Sequence, residues 1–244
     1  WSPDGQRVLY ENINLHDGSS SIGIPTLWWF NLDSGKTQPV FQEVDLPVLN
    51  PRWSPNGAWL SYTTPEGIHL YRLENGESRL IKNRIGSVAS WATNSRSIII
   101  RDSIENEKKL VTQLFRYDLI SQQLTPFAPD LAFENLLVET SPTGMWIAIV
   151  RRETVRLNEN QIWLIRADGS EQRLLTTLEN GYYSNLSWSP DGKYLLCDMY
   201  LFNTATLKTH LQRIDIKTGE VSDLGAGFSP SWVWSDAPRS LNAQ

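Results

Sequence analysis

A five-residue motif returns along this chain, and its spacing limits the folds open to it. It reads Trp1-Ser2-Pro3-Asp4-Gly5, Trp53-Ser54-Pro55-Asn56-Gly57 and Trp188-Ser189-Pro190-Asp191-Gly192. Looser copies are Trp91-Ala92-Thr93-Asn94-Ser95 and Thr140-Ser141-Pro142-Thr143-Gly144, and a truncated one is Trp234-Ser235-Asp236. The intervals are 52, 38, 49, 48 and 46 residues, a mean of about 47. A supersecondary unit recurring every ~40–50 residues cannot bury its apolar faces alone, so its copies must stack on one another. Within the motif, Pro presets the φ of a turn, Asp or Asn closes a side-chain hydrogen bond to the backbone, and Gly accepts positive φ.

Around each copy the same grammar repeats. A short apolar segment precedes the Trp, as in Val48–Arg52, Gly86–Ser90, Glu134–Val138 and Ser184–Ser187. After the turn comes a second apolar segment: Arg7–Tyr10, Trp59–Tyr62, Ser97–Ile100, Trp146–Val150 and Tyr194–Cys197. A third follows a variable loop: Leu27–Phe30, His69–Arg72, Gln113–Tyr117, Gln161–Ile165 and His210–Ile214. It ends in a turn bearing Gly35, Gly76, Gly169 or Gly219, with Ile120–Gln123 in the remaining unit. A fourth segment closes the unit. Sustained 3.6-residue periodicity is missing, which argues for strands. Four-stranded meanders repeated at this period predict an all-β propeller. The expected blades are 1–47, 48–85, 86–133, 134–182 and 183–228, in one domain over 1–236 with a tail at 237–244. The inner segment recurs at Ser231–Trp234. It would either complete the first blade of a five-bladed ring or open another blade of a six- to eight-bladed one. The latter is favoured because Trp1 and Trp234 share a motif column.

Composition removes several function classes. The 244 residues carry a net charge of −5, a pI near 5.3 and 40% hydrophobic residues, so neither a disordered chain nor a strongly basic nucleic-acid binder is expected. One Cys cannot pair within the chain. No apolar run reaches the ~20 residues of a membrane span, and no signal peptide is visible. The 11 Trp residues are the compositional oddity, and five of them stand in the repeating column.

An apolar strand, then Trp-Ser-Pro-Asp-Gly, then a strand ending in Tyr or an aliphatic residue, resembles the TolB-like (WD-repeat-like) β-propeller repeat. The resemblance covers residues 1–236, and the copies at Trp91 and Thr140 depart from the pattern while keeping phase. It implies a propeller fold and suggests a periplasmic or secreted location. The repeat carries architecture and leaves chemistry open.

Candidate chemistry is sparse. Glu43, Asp45, Asp130, Glu134 and Glu139 are the acids from which a glycosidase pair could be drawn, but none sits in a distinctive motif. His16, His69 and His210 have no metal-ligand spacing, and His69 and His210 look like equivalent positions opening a third strand. Gly227-Phe228-Ser229-Pro230-Ser231 lacks the second Gly of a nucleophile elbow. Cys197, at the end of an apolar strand, reads as a buried inert thiol. Arg151, Arg152, Arg156, Lys108 and Lys109 form a basic cluster that either contacts a polyanion or is simply solvated. No catalytic residue, metal site or cofactor is expected. The channel-mouth connectors are the adaptable surface, and Glu179–Asn185 is the richest of them. Its adjacent Tyr182 and Tyr183, with Asn185, suit partner contact, the alternative being that one Tyr packs in the core. Asn50 and Arg52 are placed to point into the channel. The expected function is a non-enzymatic scaffold binding a protein or ligand. The alternatives are a gating propeller of a larger serine hydrolase or peptidase, or a carbohydrate-active propeller.

Overall fold

A computed structural model describes residues 1–15, 22–41, 46–106, 109–129, 133–153, 159–202 and 208–232. These residues form five antiparallel sheets and no helix. The fold is an all-β propeller with five sheets in sequence order. The chain divides into two compact units, Trp1–Leu131 and Ala132–Gln244.

The first unit holds three sheets. The first sheet pairs β1 (Arg7–Leu15), β2 (Ile22–Asn31) and β3 (Lys36–Pro39). The second is β4 (Leu49–Trp53), β5 (Trp59–Thr64), β6 (Gly67–Arg72) and β7 (Ser78–Lys82), and the third is β8 (Ser90–Trp91), β9 (Ser97–Asn106), β10 (Lys109–Asp118) and β11 (Leu124–Pro126). The second unit holds β12 (Phe133–Thr140), β13 (Trp146–Glu153), β14 (Glu159–Arg166) and β15 (Gln172–Glu179), then β16 (Gly181–Trp188), β17 (Tyr194–Leu201), β18 (Lys208–Asp215) and β19 (Val221–Ala226). Strands follow sequence order within each sheet, as in a meander. The expected inner strand at 231–234 is not seen at Ser231 and Trp232, and its remaining residues lie outside the described ones.

The turn motif earns its residues physically. Ser2, Ser54, Ser141 and Ser189 are almost fully buried. Each hydroxyl accepts the N–H of the residue five further on: Arg7, Trp59, Trp146 and Tyr194, at 2.8–3.1 Å. In Ser2, Ser54 and Ser189 it donates to the acid or amide two further on, as Ser54 does to Asn56 (2.8 Å) and Ser189 to Asp191 (2.7 Å), while Ser141 shares a hydrogen bond with the Thr143 hydroxyl. The Ser189 hydroxyl and then the Lys193 N–H hold the Asp191 carboxyl below the ordinary carboxylate range. The turn closes on residues at φ near +70°, Gly57 and Gly192 among them, while Ser95 adopts +56° in the degenerate copy. Glycine populates that region without a Cβ penalty.

The second strands β5, β13 and β17 are each buried on both faces over five consecutive residues, as expected of strands with sheets stacked on either side, while β1 is only partly buried. Fourth strands are largely exposed. In the second unit, Ala148, Val150, Ile162 and Leu164 pack against Tyr183, Leu186, Trp188, Leu195, Cys197 and Met199. In the first unit, Trp59, Ile68 and Leu70 pack against Trp91, Ile98 and Ile100. A smaller cluster of Leu27, Val48 and Tyr62 joins the first sheet to the second.

The Trp column is more than filler. The Trp188 indole N–H donates to the Glu139 carbonyl of the preceding inner strand at 3.0 Å. Trp91 donates to the Ser61 hydroxyl at 3.0 Å, and Ser61 pairs with Arg52, the residue just before Trp53. The sequence places the sixth column residue at Trp234, but Trp232 makes the corresponding bond, to the Ser187 carbonyl at 3.1 Å. A two-residue offset keeps a side chain on the same face of an extended segment, so the repeat column slips by one pleat. Trp1 is 73% exposed and stands outside the buried clusters of the described residues.

Arginines add a second set of pins on the outer strands. Arg79 stacks over Trp59 (4.9 Å) and donates to the Leu119 carbonyl of the next sheet at 2.6 Å. In the second unit Arg173 repeats both contacts, over Trp146 and onto the Ile216 carbonyl.

Candidate functional site

Tyr182 and Tyr183 lie in a strand and not in a connector. β15 ends at Glu179 and β16 begins at Gly181, leaving Asn180 at φ +52° as the whole link. Gly181 is obligatory there, because an added Cβ would meet the Tyr200 carbonyl oxygen at 2.3 Å. Side chains alternate along a strand, so the two tyrosines part company. Tyr183 enters the core at 4% exposure, and burial raises its phenol well above the ordinary value. Tyr182 faces the other way and stacks on Tyr200, centroids 4.5 Å apart and planes within 4°. Phe202 tilts against Tyr182 at 5.7 Å and stays 54% exposed. Phe228, 73% exposed, leaves the sheet at this end, since Gly227 donates to the carbonyl of Thr209, the partner of Tyr200. The result is an aromatic patch where β16 begins and β17 ends.

Asn185 sits beneath that patch at φ +50°, inside a bulge between Ser184 and Ser187. Its amide donates to Asp198 Oδ2 at 2.6 Å. Asp198 is fully buried, and the same oxygen accepts the Ser229 N–H at 3.1 Å, tying the exit from the sheet to its inner strand. Asn50 holds the corresponding place in the first unit. It lies three residues before its Trp, at φ +54°, in the bulge between Leu49 and Arg52. Its amide donates to the Thr63 hydroxyl at 3.0 Å, and its backbone N–H donates to the Glu11 carboxylate at 2.7 Å. Asn tolerates the left-handed region better than other side chains and bonds locally. Both asparagines are therefore built into the inner strand, and the offset from the Trp is the sequence signal that pairs them. Arg52 is exposed and pairs with Ser61 across β4 and β5.

Other candidates are engaged elsewhere. Arg151 is fully buried, donating to Asn135 (2.9 Å) and Gln172 (3.1 Å) and stacking over Trp163 at 5.8 Å. Arg152 pairs with Glu134. The expected basic surface cluster thus loses two members to internal bonds, and Lys108 and Arg156 lie outside the described residues. Of the acids, Glu43, Asp45 and Asp130 also lie outside them. His16 does too. His69 bonds Thr64 at 3.0 Å and stacks flat on Tyr62 at 5.0 Å, and burial lowers its pKa. His210 pairs with Asp223 at 2.9 Å. The two histidines are not equivalent, since His69 opposes Tyr62 while Gln212 opposes the matching Cys197. Burial raises the Cys197 thiol to about 12, which makes it a poor nucleophile. Among the described residues no group of three or more His, Cys, Asp or Glu side chains converges as metal ligands would. No helix among them is long and apolar enough to cross a membrane.

No family model and no curated protein matches the chain. Solved structures do match in fold. TolB of Acinetobacter baumannii superposes with a TM-score of 0.70 at 17% identity, over 95% of this chain and 55% of that one. A protein assigned as TolB in Agrobacterium tumefaciens gives 0.67 at 22% identity, over 94% and 81%. An oligogalacturonate lyase solved with manganese gives 0.63 at 17% identity, over 92% and 63%. Propellers of peptidases share the fold as well. The chain spans about half the length of the Acinetobacter TolB. The likeness fixes a propeller of the TolB type as the fold, and that fold is common to proteins with unrelated activities.

Proposed function

We propose that this chain is a binding propeller whose partner is a protein, and that the contact is made by the aromatic end of the fifth sheet. One observation carries the reading: Tyr182 and Tyr200 are locked face to face beside Phe202, which keeps half its surface in water. Exposed aromatics on a rigid strand lose little conformational entropy on binding and supply the large contact areas typical of interface anchors. Asn185 and Asp198 serve this surface from below by fixing the inner strand and the exit at Ser229. Asn50 and Arg52 belong to the proposal as the corresponding positions of the first unit. Photo-crosslinking tests it. A benzoylphenylalanine placed at Phe202 in the source cells should give a discrete protein adduct that Tyr182→Ala abolishes. A probe at Ile120, more exposed still and remote in sequence, should give none. Equal adducts from both positions, or none from Phe202, would overturn the reading.

A further inference from the structure

The arginine pins recur in both units, but the places they frame differ. In the first unit Arg79 stacks over Trp59 and reaches the Leu119 carbonyl, and Trp59 is 8% exposed. In the second unit Arg173 stacks over Trp146 at 5.4 Å and reaches the Ile216 carbonyl, yet Trp146 stays only partly buried. A cavity of about 440 Å³ opens there, with Trp146, Arg173 and Ile216 among its lining residues. That size is ordinary for a small-molecule site, and the lining is mainly apolar.

The charge of this cavity comes from two turns of the fifth sheet. The motif turn before β17 brings Gly192 and Lys193, and the turn after β18 brings Asp215 and Lys217. Hydrogen bonds fix which residues correspond between the units. Asp215 accepts the N–H groups of Lys217 and Thr218 at 2.8 and 2.9 Å, as Asp118 accepts those of Ile120 and Ser121. Lys217 therefore stands where the first unit has Ile120. Lys193 follows Gly192 as Arg96 follows Ser95. Three lining residues are thus cationic, Arg173, Lys193 and Lys217, against the single carboxylate of Asp215, in a chain of net charge −5. That carboxylate is committed to its own turn, where the Thr218 N–H and then the Lys217 N–H hold it below the ordinary range. Asp191 lies close by and pairs with Lys193 at 3.2 Å, on a side chain 72% exposed.

The geometry points to this cavity as a binding site for a small organic carboxylate, its apolar body against Trp146 and Ile216 and its charge toward Lys193 and Lys217. Apolar walls supply the contact area and a few polar groups fix the orientation, as in most small-molecule sites. The cavity lies where β17 begins, whereas the aromatic patch lies where β17 ends, so the inference is independent of the protein contact proposed there.

The probe is indole-3-acetate, added to the whole chain and followed through the indole N–H resonances of Trp146 and Trp59, each assigned by its Phe variant. The Trp146 resonance should shift and half-saturate at about 1 mM or below, while that of Trp59 should stay in place. Indole-3-acetamide keeps the shape and lacks the charge, and it should bind about tenfold more weakly. Lys193→Gln/Lys217→Gln changes two exposed side chains and should weaken binding of the acetate about tenfold. Any of four results would overturn the inference: no Trp146 shift at ~5 mM probe, an equal shift of Trp59, equal binding of acetate and amide, or unchanged affinity in the double variant.

Discussion

The join between the fourth and fifth sheets and the join between the first and second are built from the same sequence motif, yet they are finished differently. At the former, Trp188 is 8% exposed, its indole N–H rests on the Glu139 carbonyl, and a cluster of 13 buried residues surrounds it. At the latter, Trp53 is only partly buried, stacks on Trp29 at 6.5 Å and has no acceptor among the described residues, and the buried cluster nearby is Leu27, Val48 and Tyr62. One residue type in one column thus does two jobs. At Trp91 and Trp188 the ring sits in a buried cluster and its N–H adds a bond, to the Ser61 hydroxyl or the Glu139 carbonyl, whereas the Trp53 N–H meets no acceptor among the described residues. A join is therefore made of two parts, a wedge and an acceptor for its N–H on the preceding sheet.

The comparison breaks most visibly at the wedge. Trp188→Ala should cost about 3–5 kcal/mol in denaturant unfolding of the second unit, because it removes a buried indole and leaves a cavity. Trp53→Ala should cost clearly less, since part of that ring already meets water. The buried serines come next. Ser189→Ala strands the Tyr194 N–H and frees the Asp191 carboxylate, an expected loss of about 1–2 kcal/mol. Ser2→Ala should cost about half as much, because Trp1 beside it is solvent-exposed and Arg7, whose N–H it accepts, is only partly buried. Cys197 reports the integrity of the tighter join by chemistry. Its thiol is raised from 9.0 to about 12 in the fold by burial. A raised group stabilises the fold below its unfolded value and loses that contribution as pH climbs through the folded value. Alkylation of native protein at pH 8 should therefore proceed only through unfolding, and stability should fall as pH rises from about 9 toward 12. The smallest effect is a gain: Gln122→Gly relieves a φ of +58° at an exposed turn and should add about 0.5–1 kcal/mol.

Much of this architecture was legible in the sequence, for identifiable reasons. The turn motif names its own hydrogen bonds, so the Ser, Asp and Gly positions and the strands flanking them followed from residue type. Second-strand positions such as Ile147–Val150 were apolar runs that only a doubly covered strand explains. What escaped was register and facing. Tyr182 and Tyr183 read as a connector because Gly and Asn adjoin them, whereas Asn180 alone makes the turn and both tyrosines enter β16. The motif string points to Trp234, whereas the pleat brings Trp232 onto the Ser187 carbonyl. Arg151 looked like surface charge, since nothing local in sequence announces that Asn135 and Gln172 wait for it. The third inner strand shortened to Ser90–Trp91 because side chains replaced its ladder: Ser87 accepts the Arg101 N–H, and Asn83 donates to the Arg101 carbonyl. Such substitutions depend on long-range pairing, which residue spacing does not encode.

The paired variants Trp188→Phe and Trp53→Phe, followed by urea unfolding, test the roles of wedge and acceptor most directly. Both keep a wedge and delete the indole N–H. Trp188→Phe should lose about 1–2 kcal/mol by removing the donor to the Glu139 carbonyl, while Trp53→Phe should stay within about 0.5 kcal/mol of the parent because it removes a donor that has no partner among the described residues. Equal losses at the two positions would contradict the account.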